Sequence, residues 1–180
     1  MAVVVLTILE RSGEIGRAGL KSSADQVADG ELWRLFTSAL VVDGSPVPQI
    51  VLTGGAAAAV IRLGGAALWW CAALAAHVGS ALLAYAIIGV AVALGSGGAE
   101  AAADDPDFGI SCVLGGTLGA LFAIGYRRRD TAIVAIGLVG LVVLVPFSFD
   151  WYGPEHPLSF FIGAVVALWW LGRDSVASSP

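Results

Sequence analysis

The sequence predicts an all-α polytopic membrane protein, a transmembrane helix bundle of five full spans plus a truncated first one, folded as a single domain over residues 1–180. Three observations carry this reading. The chain is 58% apolar and only 13% charged, against about 25% charged for a soluble domain. Its mean hydropathy is +0.87. Its charges are also not spread evenly. Residues 44–61, 63–99, 108–126, 131–149 and 156–172 contain no Asp, Glu, Lys or Arg. At 180 residues there is no room for a separate soluble enzyme.

Each run translates into an element by length, since a helix needs about 20 residues to cross a hydrocarbon core of about 30 Å. The apolar start of the chain, 1–9, is too short to cross. It reads as the end of a first span whose beginning is missing, with a short interfacial anchor as the alternative. No basic n-region or small-residue cleavage site marks a signal peptide. Segment 10–43 has mixed charge and includes the amphipathic stretch Gly30-Glu31-Leu32-Trp33-Arg34-Leu35-Phe36-Thr37, suited to a membrane interface. One span is expected over 44–62. The longest run cannot hold two crossings and a turn, so it reads as one long helix, 66–94, followed by a flexible tail beginning Gly95-Ser96-Gly97-Gly98. Spans over 108–126, 131–149 and 156–172 complete the bundle. Small residues at four-residue spacing, Gly115 with Gly119 and Gly116 with Ala120, allow close helix approach.

Charge sets the orientation. Alternating the spans puts Arg62, Arg127, Arg128, Arg129 and Arg173 on one side, while loops 95–107 and 150–155 hold six acidic residues and no basic one. By the positive-inside rule the Arg127–Arg129 loop and the C-terminus are cytoplasmic, and the expected location is the plasma membrane of a prokaryote. The net charge of -5 argues against a nucleic-acid partner. GxxxxGK, HExxH and CxxC motifs are missing from the sequence, and Cys71 and Cys112 fall in apolar runs as packing residues. No metal or cofactor is expected.

This topology places the reactive groups. Ser111 enters its span from outside, roughly 5 Å below the boundary, and His156 opens the last span from the same side. His77 lies fifteen residues beyond Arg62, roughly 22 Å from the cytoplasmic end and so also in the outer half. A serine beside a histidine is a nucleophile beside its base. A membrane serine also serves commonly as a packing residue bonded to a backbone carbonyl. Position alone leaves either His156 or His77 as the partner of Ser111.

The motifs resemble one family. Trp33-Arg34-Leu35-Phe36-Thr37, preceded by Gly30-Glu31, is similar to the WRxxT segment that opens the second span of rhomboid proteins. Arg62-Leu63-Gly64 resembles the cytoplasmic end of that span. Gly109-Ile110-Ser111 resembles the start of the GxSx motif that carries the rhomboid nucleophile. Gly119 matches a glycine that packs the nucleophile helix on the last helix, and His156 and Gly163 match the first and last positions of HxxGxxxG. The resemblance covers about Glu31 to Trp170. It implies a rhomboid-like fold, a Ser111–His156 dyad, and an oxyanion or pocket region around Gly109 and Cys112. It also implies an intramembrane serine endopeptidase that cleaves transmembrane protein substrates near the outer interface. Departures accompany it. Cys112 replaces a glycine of GxSx, Gly115 stands in place of a tyrosine that stacks on the histidine, and Ser159 replaces the middle glycine of HxxGxxxG. The second span lacks the histidine and asparagine that help form the oxyanion hole and offers Asp43, Ser45 and Gln49 as polar groups. His77 and the spacing Asp107-x-Gly109-x-Ser111 resemble a divergent rhomboid-like branch. The alternative function is therefore a catalytically silent relative that binds transmembrane segments. A transporter is disfavoured because few charged residues lie inside the spans.

Overall fold

The computed structural model describes residues 19–42, 46–107, 109–144 and 151–177, with side chains to Arg173. Among the described residues the chain is helical and contains no strand beyond one isolated antiparallel bridge, Ser22 with Asp107. Two short helices, α1 (Ala24–Ala28) and α2 (Arg34–Thr37), precede α3 (Pro46–Gly64), α4 (Ala66–Ala93), α5 (Gly97–Ala103), α6 (Ile110–Arg128), α7 (Thr131–Leu144) and α8 (Glu155–Ala177). Four helices, α3, α4, α6 and α8, are long and apolar enough to cross a membrane. Over the fifth expected span the described residues form α7, an apolar helix of 14 residues that is shorter than the other four. The rest of that expected span, like the truncated first span, lies outside the described residues.

The boundaries follow from local chemistry. Pro46 opens α3, where its missing N–H costs nothing. The turn between α3 and α4 is a single residue, Gly65, at φ 90, a conformation that favours glycine. Asp130 caps α7 by accepting from the N–H groups of Ala132 and Ile133 at 3.0 and 3.2 Å. Where the sequence suggested a flexible tail after the long span, the chain forms α5. Ser96 caps it by accepting from Ala99 N–H at 3.4 Å, and a run rich in alanine, the best helix former, follows.

Helix α6 is the hub, packed on α3, α4, α7 and α8. Glycines make this possible. A Cβ at Gly116 would strike Ala76 of α4. One at Gly119 would strike the Phe160 carbonyl of α8, and one at Gly163 would strike the backbone of Gly116. The core around them joins Leu68, Ala72, Ala120, Leu121, Ile124, Phe160 and Ala167. At one end Arg128 donates to the Leu63 carbonyl at 2.6 Å and Arg127 to the Leu171 carbonyl at 3.5 Å. The arginines thus gather where α3, α6 and α8 finish. Ser111 and His156 sit at the opposite end.

Candidate functional site

Ser111 lies in the first turn of α6 and His156 in the first turn of α8. The apposition of these two helices brings His156 Nε2 to 3.1 Å from Ser111 Oγ. The other ring nitrogen, Nδ1, is 3.2 Å from the Gly153 carbonyl. A carbonyl only accepts, so Nδ1 carries the proton and Nε2 presents its lone pair to the serine hydroxyl. This is the tautomer a general base requires.

His77 does not meet Ser111. It is fully buried, and its Nε2 donates to the Leu35 carbonyl at 2.6 Å, with Ser38 Oγ at 3.4 Å. Its ring lies against Gly109, where a Cβ would overlap it. The Gly109 N–H in turn donates to the Ser38 carbonyl at 3.1 Å. His77 therefore braces the entry to the serine helix against the segment that follows α2.

Gly115 and Ser159, on facing helices, fit each other. Ser159 is fully buried and donates to the His156 carbonyl at 2.7 Å. Its hydroxyl occupies the space that a side chain at position 115 would need. Gly115 and Ser159 thus form a matched pair beneath the histidine. Cys112 is similarly buried, and its thiol donates to Glu155 Oε2 at 3.5 Å. Cys71 is exposed.

A cavity of about 530 Å³ opens beside the dyad. It is lined by Gln49, Leu52 and Thr53 of α3, Val143 and Leu144 of α7, Ser111 and Leu114 of α6, Glu155 and His156 of α8, and by Asp107 and Tyr152. The loop over the site is pinned by tyrosines. Tyr85 donates to Asp107 Oδ2 at 2.7 Å and stands 2.9 Å from Ser22 Oγ, while Tyr152 donates to the Ala102 carbonyl at 2.7 Å. Burial, with the Asp107 carboxylate nearby, pushes the Tyr152 phenol above its ordinary range.

Sequence reasoning missed three parts of this site. Asp107 and Glu155 counted as acids of exposed loops, yet both are buried, Glu155 to 1% exposure. Thr53, a polar residue of the second expected span, passed unnoticed, although its buried Oγ1 has no hydrogen-bond partner and it lines the cavity. One signal was readable for Glu155, a carboxylate directly preceding a candidate base at a helix start. Among the described residues no group of His, Cys, Asp or Glu could hold a metal ion. Compared with family models, curated proteins and solved structures, the chain shows no significant match.

Proposed function

We propose that this chain is a rhomboid-like intramembrane serine endopeptidase that cuts transmembrane segments near the outer interface. The observation that carries the reading is the Ser111–His156 hydrogen bond of 3.1 Å, in the productive tautomer, at the back of a cavity flanked by α3 and α7. Ser111 Oγ attacks the substrate carbonyl as His156 Nε2 takes its proton. The imidazolium then gives that proton to the leaving amine, and water repeats the sequence on the acyl-enzyme. Ser111 N–H lies in the first turn of α6, where backbone donors lack an acceptor within the helix, and it helps bind the oxyanion. Helix α3 suits a mobile gate, because its apolar window is only 11% buried. A substrate helix enters between α3 and α7. In this reading the bundle has five full spans plus a truncated first one, and the arginine-bearing end faces the cytoplasm.

A second reading, a silent relative that binds transmembrane segments, draws on the cavity wall. There α3 contributes Gln49, Leu52 and Thr53 rather than a histidine and an asparagine. Losing one oxyanion donor costs roughly 100- to 1,000-fold in rate. Labelling of the purified protein by a fluorophosphonate separates the two. The protease reading expects covalent labelling that is abolished by Ser111→Ala and His156→Ala, together with cleavage of a transmembrane reporter by the unmutated protein alone. Labelling that persists in Ser111→Ala, or none in the wild type, would overturn it.

A further inference from the structure

Arginines of three helices meet at the end of the bundle opposite Ser111. Arg62 lies in the last turn of α3, Arg127 and Arg128 lie in the last turn of α6, Arg129 caps α6, and Arg173 closes the apolar stretch of α8. All five are exposed. Beside them the sequence offers two carboxylates, Asp130 and Asp174, and Asp130 is turned onto the N–H groups that open α7. We propose that these arginines form a binding site for the phosphate of an anionic phospholipid headgroup, seated where α3, α6 and α8 converge.

A topology signal needs only a count of basic residues in a loop. Here the fold also brings the charges together. Arg128 donates across to the Leu63 carbonyl of α3, the residue after Arg62, and Arg127 donates to the Leu171 carbonyl of α8, two residues before Arg173. Each bond uses one of the five N–H donors of a guanidinium and draws a charge on α6 toward one on its neighbour. Like charges repel, so an anion placed among them stabilises the cluster. A phosphate suits, because a guanidinium pairs with two of its oxygens at once. The surroundings favour a lipid as its source. Tyr126 directly precedes Arg127, and Trp169 carries the Arg173 guanidinium 4.7 Å from the centre of its ring. Both rings are exposed, and such amphipathic rings settle at the headgroup level of a bilayer. Ile61 of α3 and Val165 of α8, also exposed, extend an apolar surface away from the arginines, where acyl chains would lie. The inference is independent of the serine chemistry, because it rests on the other end of the bundle.

The test titrates the purified protein, in a non-ionic detergent, with phosphatidylglycerol, phosphatidylcholine or glycerol phosphate. Binding is followed by native mass spectrometry and by the thermal unfolding midpoint. Phosphatidylglycerol should bind at least about tenfold more tightly than phosphatidylcholine and raise the midpoint, while glycerol phosphate at the same concentrations does neither. Salt at about 1 M, where the screening length falls to about 3 Å, should weaken the binding. One basic residue beside an anionic lipid contributes a factor of about five in affinity. Arg127→Gln combined with Arg128→Gln should therefore weaken phosphatidylglycerol binding roughly 20-fold or more. Those two arginines also tie helices together, so Arg62→Gln combined with Arg129→Gln is the second test and decides if the first pair does not fold. It should weaken binding by a similar factor and leave the lipid-free midpoint in place. Lys21→Gln, at the Ser111 end beside the Ser22–Asp107 bridge, should not change the affinity. Equal affinity for the two lipids, undiminished phosphatidylglycerol binding in either folded arginine pair, or an equal loss in Lys21→Gln would overturn the inference. So would a glycerol phosphate response that matches the lipid, which would mark a site for soluble phosphate instead.

Discussion

Gly119→Ala tests the packing that assembles the site, independently of any chemistry. Alanine is the better helix former by about 1 kcal/mol, so in open space this change would stabilise α6. At position 119 the space is closed. A Cβ there sits 2.8 Å from Ala164 N and closer still to the Phe160 carbonyl oxygen, whereas ordinary contact begins at 3.4 Å. Both obstacles are backbone of α8, which cannot swing aside like a side chain. The helices must part by more than half an ångström, and gaps of that size forfeit a quarter or more of each dispersion contact across the interface. Overpacking of this kind costs about 1–3 kcal/mol, which exceeds the propensity gain. Gly89→Ala is the control, because nothing lies within 4 Å of a Cβ there and the same substitution should be neutral or stabilising by up to about 1 kcal/mol. The assay is the thermal unfolding midpoint of both variants in the same detergent. Gly119→Ala should fall below wild type and Gly89→Ala should not. If Gly119→Ala unfolds at or above the Gly89→Ala midpoint, α6 and α8 do not approach as closely as drawn here.

Four further outcomes are expected. His77→Ala leaves the Leu35 carbonyl without its donor and opens a void beside Gly109, so it should lower stability by about 2–4 kcal/mol while the folded fraction keeps Ser111-dependent labelling; total loss of labelling in folded protein would restore His77 as the base. Because the Tyr152 phenol is pushed up on folding, its stabilising contribution is intact below the unfolded value of about 10 and is lost as pH rises beyond it. Wild type should therefore lose stability above about pH 10 more steeply than Tyr152→Phe, and parallel melting curves in alkali would refute this. Gly115→Ala should destabilise because its Cβ meets Ser159 Oγ, and Ser159→Gly should recover much of that loss, giving a coupling of about 1 kcal/mol in a double-mutant cycle; strict additivity would show that the two positions do not touch. Reporter fusions after Arg129 and after Arg173 should report cytoplasm and fusions within 96–106 the exterior, and the reverse would move Ser111 to the inner leaflet.

The four long apolar helices were legible because they depend on a property of the chain alone, the length of an uncharged run against the thickness of a bilayer. That Ser111, His156 and His77 gather toward one end of the bundle was legible for the same reason, since the rise of a helix is fixed. What depth cannot supply is rotation. His77 and His156 are equivalent by depth, but one points at the Leu35 carbonyl and the other at Ser111 Oγ. That choice is made by which helix packs on which. The same limit hid Glu155 and Asp107. Counting charges by loop treats an acid next to a span as solvated, yet the turn of the chain folds both of them inward, onto Cys112 and Tyr85. The helix α5 was masked differently. Gly95 and Gly97 read as flexible, but Gly95 at φ 83 ends the long helix and Ser96 caps the next one, so glycine here separates two ordered elements.

The residues packed around the Ser111–His156 contact come in facing pairs. Gly115 faces Ser159, Cys112 faces Glu155, and Gly109 faces His77. In each pair a small or soft residue on α6, or at its entry, makes room for or bonds to a polar residue on α4 or α8. The polar member of every pair is buried and bonded to protein, Ser159 to the His156 carbonyl, Glu155 to the Cys112 thiol, and His77 to the Leu35 carbonyl through Nε2, while the buried Nδ1 of His77 has no hydrogen-bond partner. All three bonds end on the residues that hold the Ser111–His156 contact or on the segment that braces it. The three bonds therefore support the elements that set Ser111 against His156, so variants that shift one relative to the other, such as Gly119→Ala and the Gly115–Ser159 cycle, complement those that remove either residue.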